Sequence, residues 1–430
     1  MGDLILQHKT IVNSRFKKLD NYYNGKQDIL NRSIEDTTKP NNKVISNFCS
    51  YVSDVMTGFF MGKPVEYKTE NSELLLQLNR VLKMNDEDTE NYTLAHKSSI
   101  KGQAFELIYC DEQGDFCFDV LDTDGTIICY DNTIKQNILY GIRYCDTVED
   151  DEEVTYIEVY TDSVIESYKQ CGEDLTLIET RQHYFKEVPI IEYANGRFRK
   201  SDFENIITLQ DAYNLNTADI SNDIEYFSNC YLSLSGMEDT EKGDVLKMKE
   251  DRVIVLPTGG QAGFLTKDIN DTVVQNHREN LKEDIHKMSY VPDLSKEINS
   301  NVSGTAMKNR FFTTYQAVAN KERMFKKGLQ KRLRLFVNYL NFKNVVGQEH
   351  NAWDVEIQFN KNIPINMIEF ADSAIKLAGV LPYQMVVEEL NKQGLEINVD
   401  RAVKLKEEEN SMNLYDNSIP DLTAGVDEVE

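Results

Sequence analysis

The chain has 430 residues, 40% of them hydrophobic, and a formal net charge of −25. That length accommodates about two or three domains, and the composition is that of a globular protein. The acidic balance argues against a sequence-specific DNA binder, which carries a basic face, but leaves open a protein that encloses DNA without gripping it.

The cysteines lie at 49, 110, 117, 129, 145, 171 and 230, with no pair at the spacing of a zinc or redox site. They read as buried free thiols, and with no signal peptide they suggest a reducing cytoplasm. Apolar runs fall far short of a membrane span. The histidines are too dispersed to form a local metal or triad motif.

In chain order, residues 1–40 are polar and suggest a helix or two with a loose start. From 41 to 61, Ile45, Phe48, Val52, Val55, Met56 and Phe59 recur at helical spacing, which predicts an amphipathic helix. It exits through Gly62-Lys63-Pro64, which is not a phosphate loop. No hydroxyl follows Lys63, and a helix stands where a strand should precede. "SELLLQLNRVLKMNDEDTENYTLAHKSSIKGQA" continues helical to about 104. From Phe105 the period changes to alternation, with Gly114 and Gly125 at turns, and the block to about 195 reads as a β meander.

The acidic clusters at 86–90 and 149–154 are candidate metal ligands for a nuclease or nucleotidyl enzyme, with Asp86 and Asp88 the residues to test. Adjacent carboxylates do not converge on one ion, however, and the second cluster reads as a solvated turn between strands. Helix resumes after Ser201, an N-cap with Glu204 at capping-box spacing, and runs to about Asn229. Its polar residues spread round the circumference, as in a helix that packs on two sides or against another subunit. A short α/β insertion follows, in which "RVIVL" is a strand and "PTGG" a turn. Another helix then stops near Pro292. The polar loop "PDLSKEINSNVSG" leads to a helix expected from Thr305 to about Phe342, roughly 55 Å long, which Gly328 is expected to kink.

That long helix carries the one basic block: Lys321, Arg323, Lys326, Lys327, Lys331, Arg332 and Arg334. It reads either as a solvated face pairing with acidic neighbours or as a patch near nucleic acid or an acidic partner chain. "WDVEIQF" is a strand, residues 366–390 read as two helices broken at Gly379 and Pro382, and the acidic tail from 405 reads as disordered.

Three stretches together resemble the portal proteins of tailed bacteriophages, in the branch with long non-contractile tails infecting Gram-positive hosts. They are "KPNNKVISNFCSYVSDVMTGFFMGKPVEY", "HYFKEVPIIEYANGRFRKSDFENIITLQDAYNLNTADISNDIEYF" and "VPDLSKEINSNVSGTAMKNRF". One departure is Lys186, where the pattern leads us to expect glycine and hence a small change of turn.

The resemblance implies an α+β portal fold with wing, stem, clip and crown, assembled as a ring of about twelve identical subunits at one capsid vertex. It implies a wing in 1–200, a first stem helix in 201–229, a clip in 230–268 and a second stem helix in 269–290. A tunnel loop would occupy 291–304, the long wing helix and strand 305–364, a crown 365–404 and the tail 405–430. Double-stranded DNA would pass through the channel, touched weakly by Asn299, Ser300, Asn301, Val302 and Ser303 of the tunnel loop. The implied partners are the terminase large subunit, the major capsid and scaffolding proteins, and a head-completion or adaptor protein. No cofactor, metal or catalysis of its own is implied. The implied location is the virion, with assembly in the host cytoplasm.

Overall fold

The structure is a computed structural model. It describes residues 1–36, 39–228, 231–235, 242–251, 256, 258–265, 271–293, 295, 309–343, 350–360, 376, 380–392 and 397–416.

The chain opens with α1 (Gly2–Ile11), which runs through a π-helical turn at Val12–Phe16 into α2 (Lys17–Tyr23). The next helix, α3, spans only Phe48–Met61 rather than the whole of 41–61. Asn47 begins it, its side chain accepting from Ser50 N at 3.3 Å. Upstream, residues 41–47 are extended because the side chains of a later helix capture their backbone, as described below. Past α3, Pro64 and buried Val65 lead into β1 (Glu66–Lys68).

The helical run at 72–104 divides into α4 (Ser72–Met84) and α5 (Glu87–Lys101), parted at Asp86, whose φ is 48°. Asn85, the last residue before the break, accepts from Phe118 N and donates to Phe116 O, both at 3.1 Å. The break therefore serves the neighbouring sheet.

Strands β2 (Gln103–Cys110), β3 (Phe116–Leu121), β4 (Thr126–Tyr130), β5 (Ile138–Glu149), β6 (Glu152–Tyr160), β7 (Val164–Cys171), β8 (Asp174–Gln182) and β9 (Ile190–Ala194) form two antiparallel sheets. Their orders are β3-β2-β9 and β4-β5-β6-β7-β8. The second is a plain meander. Its β5–β6 connection is the tight turn at Asp150 and Asp151, with φ of 51° and 67°, so the acidic run is the solvated turn expected. Alternation gives the meander two working faces. On one, Ile142, Tyr144, Ile157 and Val159 bury Ile5 of α1. On the other, Tyr160 joins Phe105, Leu121, Val188 and Ile190 of the smaller sheet and its approach.

Helix α6 (Ile207–Ser228) follows a 3₁₀ turn at Glu204–Ile206, and Ser201 N donates to Glu204 Oε2 at 3.0 Å, half of the expected capping box. Next come β10 (Tyr231–Ser235), α7 (Lys242–Asp251) and β11 (Gln261–Leu265), with β10 and β11 antiparallel. The turn expected in "PTGG" is present, with Gly259 at φ +92°, whereas most of the strand expected in "RVIVL" lies outside the described residues. Helix α8 (Asp271–Ser289) returns to the core.

Helix α9 (Phe312–Lys343) is the long one, unbroken over 32 residues. The helix continues unbroken through Gly328. A Cβ there would stand 2.5 Å from the Tyr193 ring, so the glycine lets β9 press against the helix. β12 (Glu356–Gln358) then pairs antiparallel with β1, Tyr67 opposite Ile357. The main core lies between α2–α5, the small sheet and α9, where Phe116, Phe203, Phe325 and Phe336 are among the largest fully buried side chains.

Helices α10 (Tyr383–Lys392) and α11 (Val399–Asp416) follow. The tail expected to be disordered from 405 is thus helical as far as Asp416, and 417–430 lie outside the described residues.

Candidate functional site

Two helices rise from the core side by side. α6 starts there, where Phe203 and Ile206 are wholly buried, and α8 ends there, at Ile285, Ser289 and Val291. They are therefore antiparallel. Along α6 burial fades from Gln210, Asn214 and Ala218 to exposed Ile224, Glu225 and Tyr226. On α8 it fades in the opposite chain direction, with Val273 61% exposed. The short β10–α7–β11 insertion sits at the far end of the pair. Exposed apolar groups stud it: Leu215, Ile224 and Tyr226 on α6, Val273 and Met288 on α8.

The polar residues that encircle α6 have a specific use. Gln210 Oε1 accepts from Phe48 N at 2.9 Å, and Gln210 Nε2 donates to Ser46 O at 2.7 Å. Asn214 Oδ1 accepts from Ser46 N at 3.0 Å, and Asn222 Oδ1 from Asn42 N at 2.7 Å. These amides satisfy the backbone of extended residues 42–48, which otherwise needs a helix or sheet. Asp219 holds Arg32 at 2.7 Å, and Asp211 accepts from Tyr22 Oη at 2.8 Å. The root of α6 is thereby clamped to the N-terminal region.

Residues Asn299, Ser300, Asn301, Val302 and Ser303 lie outside the described residues. The flanks of that stretch are described, and they meet. Asp293 Oδ1 accepts from Ser295 N and Oγ at 2.9 and 2.6 Å, and Lys282 Nζ lies 2.9 Å from Asp293 Oδ2. Arg310 Nη2, from the other flank, donates to Asp293 O. Thr314 Oγ1 donates to Tyr290 O at 2.6 Å, and Phe311 stacks on Phe59. Burial raises the pKa of the Asp293 carboxyl, but the hydrogen bonds from Ser295 and Lys282 and the nearby His286 outweigh it, so the pKa sits far below the usual range.

The basic block does not form a surface patch. Lys321, Lys331 and Arg332 are buried. Lys321 binds Asp202, and Lys331 donates to Ile190 O at 2.8 Å, where burial lowers its pKa to about 8. Arg332 reaches Glu106 Oε2 at 3.0 Å and Glu87 Oε1 at 3.3 Å, with its guanidinium 4.3 Å from the centre of the Phe118 ring. Arg334 pairs with Glu187 through two bonds of 2.9 and 3.0 Å, and Lys326 donates to Ile357 O at 3.0 Å. Only Arg323 and Lys327 of the block are exposed. The pairing with acidic neighbours in the first sequence reading is present, at Asp202, Glu87, Glu106 and Glu187, but it is largely internal and not on a solvated face. The physical reason for the difference is that α9 passes between two layers, so cations on several of its faces meet buried carboxylates and carbonyls. The periodic apolar pattern of the helix masked this, and the interspersed buried Phe325, Leu329 and Leu333 were the available signal.

The carboxylates proposed as metal ligands are dispersed. Glu87 is buried with Tyr67, Asn91 and Arg332, and Asp86 occupies the left-handed turn before α5. Among the described residues no group of three or more His, Cys, Asp or Glu side chains is placed to hold a metal ion.

The architecture is thus a rooted helix pair with an insertion at its tip, braced by a long helix across a small sheet. The chain resembles one from a solved structure described as the neck of an empty GTA particle computed with C6 symmetry. The TM-score is 0.51 at 10% identity, covering 80% of this chain and 90% of that one. The family model "Phage portal protein, SPP1 Gp6-like" matches residues 3–413, and the chain belongs to that family. It is 25% identical over 435 aligned residues to the portal protein of Clostridium phage phiCD119, covering 91% of this chain and 94% of the relative. It is 24% identical over 341 residues to the portal protein of Bacillus phage SPP1, covering 75% and 67%. Portal proteins are structural components of the virion, so the family membership gives the nuclease reading no support. No described helix is long and apolar enough to cross a membrane.

Proposed function

We propose that this chain forms a ring of about twelve copies at one capsid vertex, closed by head-to-tail contacts between neighbours. Residues 201–229 and 269–290 form the stem, 230–268 the clip, and 1–200 with 305–364 the wing. Residues 291–304 form a tunnel loop facing the channel, and 365–404 the crown. The observation that carries this reading is the antiparallel α6–α8 pair, rooted in the core and capped by a small insertion.

Double-stranded DNA passes through the ring while a separate motor, the terminase large subunit, hydrolyses the nucleotide. Lys and Arg contacts to phosphate make binding tight and salt-sensitive, which a conduit must avoid. A net charge of −25 with most of the basic block consumed internally suits that need. The neutral Asn299, Ser300, Asn301, Val302 and Ser303 supply weak, shifting contacts. The clip docks the motor and later a head-completion protein, and the wing meets the capsid and scaffolding proteins.

Electron microscopy of the purified chain, with particle mass measured alongside, tests the assembly. Rings with a central hole and about twelve copies are expected. A monomer or dimer across all salt conditions would sink the ring. Magnesium-dependent nuclease activity that is lost on changing Asp86 or Asp88 would restore the enzymatic alternative.

A further inference from the structure

The five-stranded meander is covered on its α1 face for only part of its width. Strand alternation and register place Tyr144, Ile157, Tyr168 and Leu177 in one row across β5 to β8. The next row carries Asp146, Thr155, Gln170 and Leu175. Helix α1 lies over the β5–β6 end of these rows. There Tyr144 and Ile157 are buried, His8 Nδ1 lies 2.8 Å from Tyr144 Oη, and Lys9 pairs with Asp146 at 2.8 Å.

Beyond α1 nothing in this chain covers the face among the described residues. Leu175 is 46% exposed, Leu177 51% and Val148 66%, and every residue of β8 is exposed. Two strands at about 4.8 Å spacing are about 10 Å wide, which is the diameter of one helix and the usual distance between packed helices. The open strip over β7–β8 is thus one helix wide and runs beside a helix already in place.

The charge beside the strip selects the occupant. The β5–β6 and β7–β8 turns lie at the same end of the sheet and present Asp150, Asp151, Glu152, Glu153, Glu173 and Asp174, all exposed. Of the lysines at this sheet, Lys9 is held by Asp146 at 2.8 Å and Lys169 by Glu149 at 2.7 Å. A second copy of this chain offers no basic helix of this kind, because most of the cations of its most basic helix are consumed in its own core.

We propose that the β7–β8 face docks an amphipathic helix from another protein, with an apolar stripe against Leu175, Leu177 and Tyr168. Basic residues at one end of that helix face the carboxylates of the two turns. The complementary charge speeds encounter and sets the orientation of the helix, while the apolar strip supplies the contact area.

The test uses the full chain and a synthetic leucine–lysine amphipathic helix of about four turns carrying one benzophenone, with a leucine–glutamate helix as control. Crosslinks should map to β5–β8, and only the lysine peptide should bind. Leu175→Thr with Leu177→Thr keeps strand propensity and should weaken binding at least about tenfold. Asp150→Asn, Asp151→Asn, Glu152→Gln and Glu153→Gln together should weaken it and flatten its salt dependence. Crosslinks elsewhere, or unchanged affinity in both variants, would overturn the proposal. So would sedimentation or crosslinking that finds the strip covered by a second copy of this chain.

Discussion

Arg332→Met probes what holds α9 to the sheet. Arg332 is 2% exposed, and its partners Glu106 and Glu87 are 0% and 7% exposed. Methionine fills much of the volume but removes the cation these two carboxylates share among the described residues. Breaking a buried pair in this way costs about 3–5 kcal/mol, because the remaining charge is buried without compensation. Loss of the guanidinium over Phe118 adds to this, by up to ~2 kcal/mol for a desolvated site. With an m-value of about 3 kcal/mol per molar urea, the unfolding midpoint should fall by about 1 M or more. Urea titration followed by far-ultraviolet circular dichroism reads it. Adding Glu106→Gln should recover a large part of the loss, since it removes the orphaned charge. A midpoint within error of the parent, or a double variant no better than the single, would refute the reasoning and mean that water solvates the site.

Three further outcomes follow from single residues. Lys186 has φ 62°, the conformation glycine tolerates best, so Lys186→Gly should raise stability by about 1 kcal/mol, and a lower melting temperature would contradict it. Gly328→Ala drives a methyl into the Tyr193 ring and should cost about 1–3 kcal/mol, or less if Tyr193→Leu is present to make room. Burial raises the pKa of the Glu87 carboxyl despite Arg332, Tyr67 and Asn91, so the folded chain holds that proton more tightly than the unfolded chain. Its contribution to stability therefore falls as pH rises from about 4.3, the unfolded value, through the folded value. Glu87→Gln should remove that downward slope in urea titrations run across this window, and an unchanged slope would exclude Glu87 as its source.

Much of the architecture is legible in residue periodicity. The switch at Phe105 from helical to alternating pattern marks the start of strand structure to within a few residues, because burial on one face imposes its period directly on sequence. The capping residues Ser201 and Glu204 mark the entry to α6 for a similarly local reason. Positions decided by distant partners were not legible. Residues 41–47 carry a helical apolar pattern but yield their backbone to Gln210, Asn214 and Asn222, more than 160 positions away. The close approach of Tyr193 at Gly328 was not legible either, because nothing in the helix shows that β9 lies against it. The basic block misled for the same reason, since its meaning depends on Asp202, Glu106 and Glu187, each on another element.

Those pairings also bear on how force could travel through the subunit. Lys321 binds Asp202, which precedes the 3₁₀ turn leading into α6, and Asp202 also accepts from Ser99 Oγ of α5 and from Asn195 Nδ2 at the end of β9. Eleven positions further along the same helix, Arg332 grips Glu106 of β2. Between them Lys326 holds the carbonyl of Ile357 in β12. One continuous helix thus fixes the root of α6 to both strands of the small sheet that flank it. A displacement at the distal end of α6 cannot be absorbed at its root without breaking a buried ion pair, which costs far more than the thermal energy. The ion pair thus ties the root of α6 to α9, while burial fades along the outer half of α6. Lys321→Met should loosen that tie. Hydrogen exchange in α6 residues 207–214 should then rise while exchange in β2 and β3 stays at the parent level, and equal acceleration in both would show that the ion pair supports the whole core rather than the root of the helix.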